Sequence, residues 1–182
     1  MVSRLLLLLC LAMPAAAAEV AGVKIDDKAR VGNAELSLTG AGLRKRVFFQ
    51  VYAIGLYVQD RKADPIKQPG PKRVQIHMLR DVSADTFNEA LVDGIRANHS
   101  EAQVQALEPR VKRLASIIGE VKEAKKGMSI ALDWTGTATQ VLIDGKPAGK
   151  PIEGADFYRA LLRIWLGDKP VQDDLKKALL GG

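Results

Sequence analysis

The side chains with the clearest chemical potential are two arginines, Arg44 and Arg46, in the segment 40–58, GAGLRKRVFFQVYAIGLYV. They alternate with Leu43 and Val47 at the mouth of a predicted buried hairpin, so both guanidinium groups share one face of a strand. A guanidinium in such a position binds a carboxylate or enolate through two parallel hydrogen bonds. The segment is therefore a candidate anion site, with either arginine as its anchor.

Two tyrosines on the following strand, Tyr52 and Tyr57, offer hydroxyl groups to the same site. Because they are five residues apart, they lie on opposite faces of the strand, and only one can share a cavity with an arginine. A second interpretation is a solvated hairpin turn with both tyrosines packed in the core. The residue types alone favour this second interpretation.

Signatures of common enzymes and metal sites are missing from the sequence. It has no Walker loop, no GxSxG motif and no HExxH motif, and its only cysteine is Cys10. The two histidines, His77 and His99, have no ligand-type partners nearby, which indicates surface or hydrogen-bonded structural roles. We therefore predict no catalytic residue, no metal site and no cofactor.

Residues 1–18 have the pattern of a cleavable signal peptide. Arg4 precedes an apolar run, residues 5–13, which is shorter than the roughly 20 residues needed to span a bilayer. A small-residue stretch ending at Ala18 follows, which favours cleavage after Ala18 over an uncleaved anchor. We expect one soluble domain, residues 19–182, that is periplasmic or secreted and has no stable membrane anchor after cleavage.

Length and charge limit the possible functions. The chain has 182 residues, which fits a single domain that buries its core without disulfides. It has 27 Lys and Arg against 21 Asp and Glu, but the basic groups are dispersed and aromatic residues make up only 5%. This dispersal and the predicted export argue against nucleic-acid binding, while a preference for anionic ligands stays open.

Alternating and continuous apolar segments predict a sheet built from two groups of strands. In the first group, the strands 34–46 and 47–59 are expected to pair as a hairpin that turns near residues 44–47. The second group is expected to be a three-stranded antiparallel meander with turns at Thr135-Gly136 and Asp144-Gly145. The predicted segments are an edge strand at 20–26, strands at 34–46, 47–59 and 73–80, and the meander at 128–148.

Helical spacing separates and follows these strands. Ser83 is a suitable N-cap for a first amphipathic helix. A second helical stretch covers 101–121, which Pro109 is expected to kink or restart. Two more helices, 156–166 and 171–180, end the chain. This order predicts an α+β fold, in which a mainly antiparallel sheet is covered on one side by helices.

Two stretches of the sequence resemble the chalcone isomerase family. The first is GAGLR at 40–44 followed by VYAIGLY at 51–57. The second, DFYRALLRIWLGDKPV at 156–171, resembles the C-terminal helices of the bacterial, exported, isomerase-like branch of the family. The resemblance covers nearly all of residues 19–182 in element order. It implies an open-faced β-sandwich, a large antiparallel sheet covered by a layer of helices with a cleft between them.

The resemblance also implies roles for individual residues. In chalcone isomerases a strand arginine, a hydroxyl on the next strand, and a helix tyrosine and asparagine support ring closure of a bound phenolate. Arg44 matches the arginine, and the strand hydroxyl, a threonine in the catalysts, falls on Tyr52. The helix tyrosine falls on Phe87, the asparagine near Gly94, and a C-terminal polar residue near Ile164. Because phenylalanine and glycine supply no polar side-chain group, the resemblance implies that the family mechanism is lost.

The leading hypothesis is a non-catalytic periplasmic domain that binds a small amphipathic ligand, a fatty acid in particular, in the cleft. Arg44 would anchor the carboxylate, or Arg46 if the hairpin register differs, and Tyr52 would be a second donor. Two alternatives stay open: an intramolecular lyase or isomerase acting on a chalcone- or enone-like substrate, and an interaction or structural module whose cleft is filled by side chains. The oligomeric state is not predicted. Under the leading hypothesis three residues form apolar walls: Phe87, Leu91 and Trp165.

Overall fold

The computed structural model describes residues 18–182. Apart from Ala18, the predicted signal peptide lies outside the described residues. The strands are β1 (Ala18–Val20), β2 (Val23–Ile25), β3 (Lys28–Val31), β4 (Ala34–Arg46), β5 (Phe49–Val58), β6 (Lys72–Met78), β7 (Val82–Ser83), β8 (Glu123–Ala124), β9 (Ser129–Trp134), β10 (Ala138–Ile143) and β11 (Lys146–Glu153). The helices are α1 (Ala84–Ala97), α2 (Glu101–Gly119), α3 (Ala155–Leu166) and α4 (Asp173–Leu179).

Seven of the strands form one antiparallel sheet, in the order β11-β10-β9-β6-β5-β4-β3. Strand β6 joins the two predicted groups, because it pairs with β5 on one side and with β9 on the other. The predicted hairpin is confirmed, but its turn lies at residues 47 and 48 rather than near 44–47, because Lys45 and Arg46 still pair with Gln50 and Phe49. The predicted meander is confirmed as β9, β10 and β11.

The main core lies between one face of this sheet and the helices. Alternate apolar side chains of β5, β6 and β9 face α1, α2 and α3. The core includes the α3 residues Phe157 and Tyr158, and the Tyr158 hydroxyl donates to the Leu132 carbonyl at 3.0 Å. This arrangement confirms the predicted α+β fold, a large antiparallel sheet with a helical layer on one side.

The other face of the sheet carries a smaller apolar core beneath a two-stranded hairpin of β1 and β2. The prediction of a single edge strand over 20–26 was wrong. The chain reverses at Ala21 and Gly22, where φ is +51° and +80°, a conformation that favours glycine. Each resulting strand has three residues, too few for an alternating pattern to distinguish it from one longer strand.

Local capping and packing explain the helices. The Ser83 side chain accepts a hydrogen bond from the Thr86 backbone N–H at 3.2 Å, which confirms the predicted N-cap of α1. Of the two outcomes expected at Pro109, a kink or a restart of the helix, the restart was wrong, because α2 continues through Pro109. Leu107 and Val111 on either side are buried, and this packing offsets the backbone hydrogen bond that proline removes. Within residues 18–182, no helix has the length and apolar composition needed to cross a membrane.

Candidate functional site

A cavity with a volume of about 800 Å³ lies between the sheet and the helical layer. Its floor comes from β4, β5, β6 and β9, and its walls come from α1, α2, α3 and residues 169–171. Apolar side chains such as Ile76, Leu114 and Ile130 line the interior, whereas exposed charged side chains such as Arg80 line the mouth. The cavity beside Arg44 argues against a cleft that is filled by side chains.

All six residues predicted to bind a ligand line this cavity. Arg44 and Tyr52 are direct cross-strand partners in the register of β4 and β5, so their side chains lie on the same face. Tyr57 lies in the small core of the opposite face, as the spacing predicts. The role of the six residues in binding stays a prediction. The other four lining residues are Arg46, Phe87, Leu91 and Trp165.

Two glycines of β4 allow α4 to pack closely against the strand that carries Arg44. A Cβ atom at Gly40 would collide with the backbone oxygen of Ala178, and one at Gly42 would lie 2.6 Å from Cδ1 of Leu175. The absence of side chains at these glycines therefore sets the position of α4. This position brings the residue that precedes α4 next to Arg44.

That residue, Gln172, holds the Arg44 guanidinium. Nη1 of Arg44 donates to Oε1 of Gln172 at 3.2 Å and to the Lys45 carbonyl at 2.7 Å. The same Oε1 accepts the Lys45 backbone N–H at 2.9 Å, and the Gln172 amide donates to the Leu43 carbonyl at 3.1 Å. Among the hydrogen bonds of residues 18–182, Nη1 is the Arg44 atom that donates to Gln172 and Lys45, which leaves Nε and Nη2 to face the cavity, where the guanidinium also interacts with the Tyr52 hydroxyl. These two adjacent donors can bind a carboxylate side by side.

The Tyr52 hydroxyl is the second polar group of the cavity. It accepts a hydrogen bond from Nε1 of Trp165 at 2.9 Å. Burial raises the pKa of Tyr52, against the opposing effects of the Trp165 hydrogen bond and of the charge and side-chain hydrogen bond of Arg44. The hydroxyl therefore keeps its proton near neutral pH and can donate it to a ligand. Trp165, predicted only as an apolar wall, also orients this donor.

Burial distinguishes the two arginines that the sequence left as alternative anchors. Arg44 is half-buried and Arg46 is exposed. The pairing of β4 with β5 shifts its register between Arg44 and Lys45, as at a β-bulge, and both arginines line the cavity. Arg44 therefore reaches the interior, and Arg46 lies at the mouth.

The helical wall lacks polar groups at three positions where the resemblance implies them. Phe87, Gly94 and Ile164 all line the cavity, as the resemblance leads us to expect. A Cβ atom at Gly94 would lie 2.7 Å from Cγ2 of Ile164, so glycine allows α1 and α3 to pack closely there. None of the three side chains can donate a hydrogen bond to a substrate.

The two histidines lie away from the cavity lining. His77 is on the outer face of β6, where burial lowers its pKa. Nδ1 of His99 bonds to the Ile95 carbonyl at 2.8 Å, and Nε2 accepts from Arg163 at 3.4 Å. Within residues 18–182, no group of His, Cys, Asp and Glu side chains is arranged to hold a metal ion.

Comparisons with known proteins agree on the fold. A family model described as chalcone isomerase-like matches residues 17–181. Among solved structures, the chain is similar to the crystal structure of a fatty-acid binding protein from Arabidopsis thaliana, with a TM-score of 0.71 and 14% sequence identity. The match covers 88% of this chain and 92% of that one. At this identity the likeness shows the fold alone. No curated protein sequence matches the chain.

Proposed function

Because the chain belongs to the chalcone isomerase-like family, we propose that it is a non-catalytic domain that binds a small amphipathic ligand, a fatty acid, between sheet and helices. One observation carries the proposal. Arg44 and Tyr52 present hydrogen-bond donors side by side to a cavity whose interior is otherwise mainly apolar. A pocket with few placed polar groups in apolar surroundings suits a carboxylate that carries a hydrocarbon chain.

The carboxylate group is assigned to the floor of the cavity. Nε and Nη2 of Arg44 form the bidentate geometry that arginine uses with carboxylates. Gln172 holds the guanidinium from the other side through Nη1, so less side-chain freedom is lost on binding. Tyr52, oriented by Trp165, donates a third hydrogen bond.

The hydrocarbon chain is assigned to the helical wall. Leu91 and Trp165 are almost completely buried, and Phe87 is partly buried beside them. The volume of about 800 Å³ lies within the range of about 300–1,000 Å³ that is typical of pockets for small ligands. Burial of apolar ligand surface here supplies the affinity that the anchor alone does not.

The non-catalytic part of the proposal rests on the helical wall. Ring closure onto an enone needs hydrogen-bond donors at the position where the enolate charge develops. Phe87, Gly94 and Ile164 offer none at the positions implied for them. A decay of chalcone absorbance that is faster with the protein than in buffer would contradict this part and favour the lyase alternative.

The proposal includes export. The signal-peptide pattern of residues 1–18 supports a periplasmic or secreted domain. The fatty-acid binding protein of similar fold supports the ligand class. In that compartment the domain would meet envelope lipids and imported amphipathic molecules.

Calorimetric titration of the lipid-extracted protein with dodecanoate tests the proposal. Arg44→Gln should weaken binding by about tenfold or more, because a hydrogen bond to a charged group contributes about 1.5–3 kcal/mol. Arg30→Gln, at an exposed arginine of β3, is the matched control and should bind like the wild type. Arg46→Gln should have a smaller effect than Arg44→Gln. Equal affinity of the wild type and Arg44→Gln would rule out Arg44 as the anchor, and absence of binding by the wild type would reject the ligand class.

A further inference from the structure

The turn between β4 and β5 and the first residue of β5 expose three consecutive apolar side chains. Val47 is 78% exposed, Phe48 94% and Phe49 58%. Hairpin turns usually consist of polar residues and glycine. Val47 also has a φ of +55°, in a region that β-branched residues rarely adopt. Neither turn geometry nor solubility accounts for this sequence, and we call residues 47–49 the apolar tip.

Basic side chains surround the apolar tip. Lys45 and Arg46 precede it and are exposed, and the Arg80 guanidinium lies 4.4 Å from the ring centre of Phe49. Among residues 18–182, none of these basic side chains takes part in an ion pair. The acidic side chains of the cavity lining belong to α1 and to Asp81 rather than to the hairpin. The hairpin therefore combines apolar exposure with local positive charge.

The apolar tip adjoins the mouth of the cavity. Phe49 lines the cavity together with Arg46, whereas Val47 and Phe48 do not. Val47 and Phe48 therefore lie outside the cavity, next to its mouth. A membrane or protein surface that bound the apolar tip would lie directly opposite the mouth of the cavity.

We propose that the apolar tip inserts into the headgroup region of a bilayer containing anionic phospholipids and turns the cavity mouth toward it. Exposed aromatic and aliphatic side chains are stabilised at this depth, and basic side chains attract anionic headgroups. A protein partner fits less well, because a stable protein interface takes about 800 Å² from each partner, far more than three side chains at one turn provide. Membrane attachment is independent of the proposed function, whereas ligand transfer between bilayer and cavity rests on it.

Cosedimentation of the purified protein with lipid vesicles tests this attachment. Vesicles with equal parts of phosphatidylglycerol and phosphatidylcholine should bind the protein, and vesicles of phosphatidylcholine alone should bind it more weakly. The double variant Val47→Asn, Phe48→Ser should bind the anionic vesicles about tenfold or more weakly, and Lys45→Gln about fivefold more weakly. Because Val47 and Phe48 do not line the cavity, the affinity of the double variant for dodecanoate in solution should not change.

Matched controls separate the tip from general surface effects. Leu180→Ser removes another exposed apolar side chain, 45% exposed, and Lys146→Gln removes an exposed lysine of β11. Both variants should bind vesicles like the wild type. All proteins are compared with the same N-terminus, determined by mass spectrometry, so that any retained part of the apolar segment 5–13 contributes equally.

The outcomes distinguish this inference from the proposed function. Unchanged vesicle binding by the double variant, or equal binding of the wild type to neutral and anionic vesicles, would overturn membrane attachment. So would a dimer that the double variant converts to monomer while the wild type binds no vesicles, because the tip would then be a self-association surface. Vesicle binding without dodecanoate binding would reject the proposed function and leave the attachment in place.

Discussion

The two faces of the sheet use the same residue types in opposite ways. On the outer face, Nε and Nη2 of Arg73 donate to the two carboxylate oxygens of Asp133, each at 2.6 Å. On the helix face, the same two donors of Arg44 have no carboxylate partner among residues 18–182. The Asp133 carboxylate therefore occupies the donors of Arg73, whereas Arg44 can receive the carboxylate of a ligand.

The tyrosines of β5 show the same contrast. The Tyr57 hydroxyl donates to the Asp26 carbonyl at 2.8 Å, and burial raises the pKa of Tyr57 to about 12. The Tyr52 hydroxyl accepts from Trp165 and keeps its own proton to donate. Tyr52 and Tyr57 are five residues apart on one strand, so the Tyr52 side chain lies in the cavity and the Tyr57 side chain lies in the small core of the opposite face. Substitutions on the outer face should change stability, and substitutions on the helix face should change binding.

The largest expected effect is that of Asp133→Ala. It leaves the guanidinium of Arg73 buried without a partner, since the two side chains are only 17% and 7% exposed. Breaking such a pair should lower the free energy of unfolding by about 3–5 kcal/mol. Arg44→Gln, the matched change on the helix face, should cost about 1 kcal/mol or less. Urea denaturation measures both, and equal losses would show that Arg44 is as structural as Arg73.

Gly40→Ala should have the next largest effect, and it should affect stability and binding together. The new Cβ atom would meet the backbone of α4, so the helix must move, at a cost of about 1–3 kcal/mol. That movement takes Gln172 away from Arg44, and the affinity for dodecanoate should fall. Gly119→Ala is the control, because a Cβ atom there meets nothing within 4 Å. Normal binding by a destabilised Gly40→Ala protein would argue against the role of α4 in placing the anchor.

A smaller effect is expected from removing the two tyrosine hydroxyls. Tyr57→Phe loses one hydrogen bond and should cost about 1 kcal/mol of stability without changing the affinity for dodecanoate. Tyr52→Phe should weaken dodecanoate binding by about threefold to tenfold, in addition to the cost of leaving the Trp165 indole N–H without its acceptor. Thermal unfolding and calorimetric titration of both variants test the contrast. Equal weakening of dodecanoate binding by Tyr57→Phe and Tyr52→Phe would contradict the different roles of the two tyrosines.

The smallest expected effect is the contribution of His77, on the outer face of the sheet, to the pH dependence of stability. Burial lowers the pKa of His77 in the folded protein below its ordinary value of 6.5, against a smaller opposing effect of Asp26. Below about pH 6.5 the unfolded chain therefore binds a proton that the folded protein binds less readily, and stability falls as pH decreases. His77→Gln should lose less stability than the wild type between about pH 7 and pH 5. If urea denaturation showed the same loss of stability for the wild type and His77→Gln over this pH range, the assignment of the effect to His77 would be contradicted.

The sequence predicts the fold well where its signals are local. The turns at Thr135-Gly136 and Asp144-Gly145 define the meander, and the Ser83 cap places the start of α1. The N-terminal hairpin was missed because its strands are too short to show a pattern, and α2 passes through Pro109 because buried neighbours outweigh a local preference.

The candidate site likewise contains residues that the sequence could predict and contacts that it could not. Arg44 and Tyr52 could be found, because the resemblance singles them out and strand periodicity places them on faces of the sheet. Gln172 could not, since it lies 127 residues from Lys45 in the chain and contacts it only after α4 packs on β4. The hydrogen bond from Trp165 to Tyr52 likewise depends on long-range packing, over 113 residues of sequence.

A crystal structure of the protein with dodecanoate tests the central claim most directly. We expect the carboxylate within hydrogen-bond distance of Nε and Nη2 of Arg44 and of the Tyr52 hydroxyl, with the hydrocarbon chain against Phe87 and Leu91. A carboxylate bound to Arg46 outside the cavity, or a cavity that stays free of dodecanoate at saturating concentration, would contradict the account.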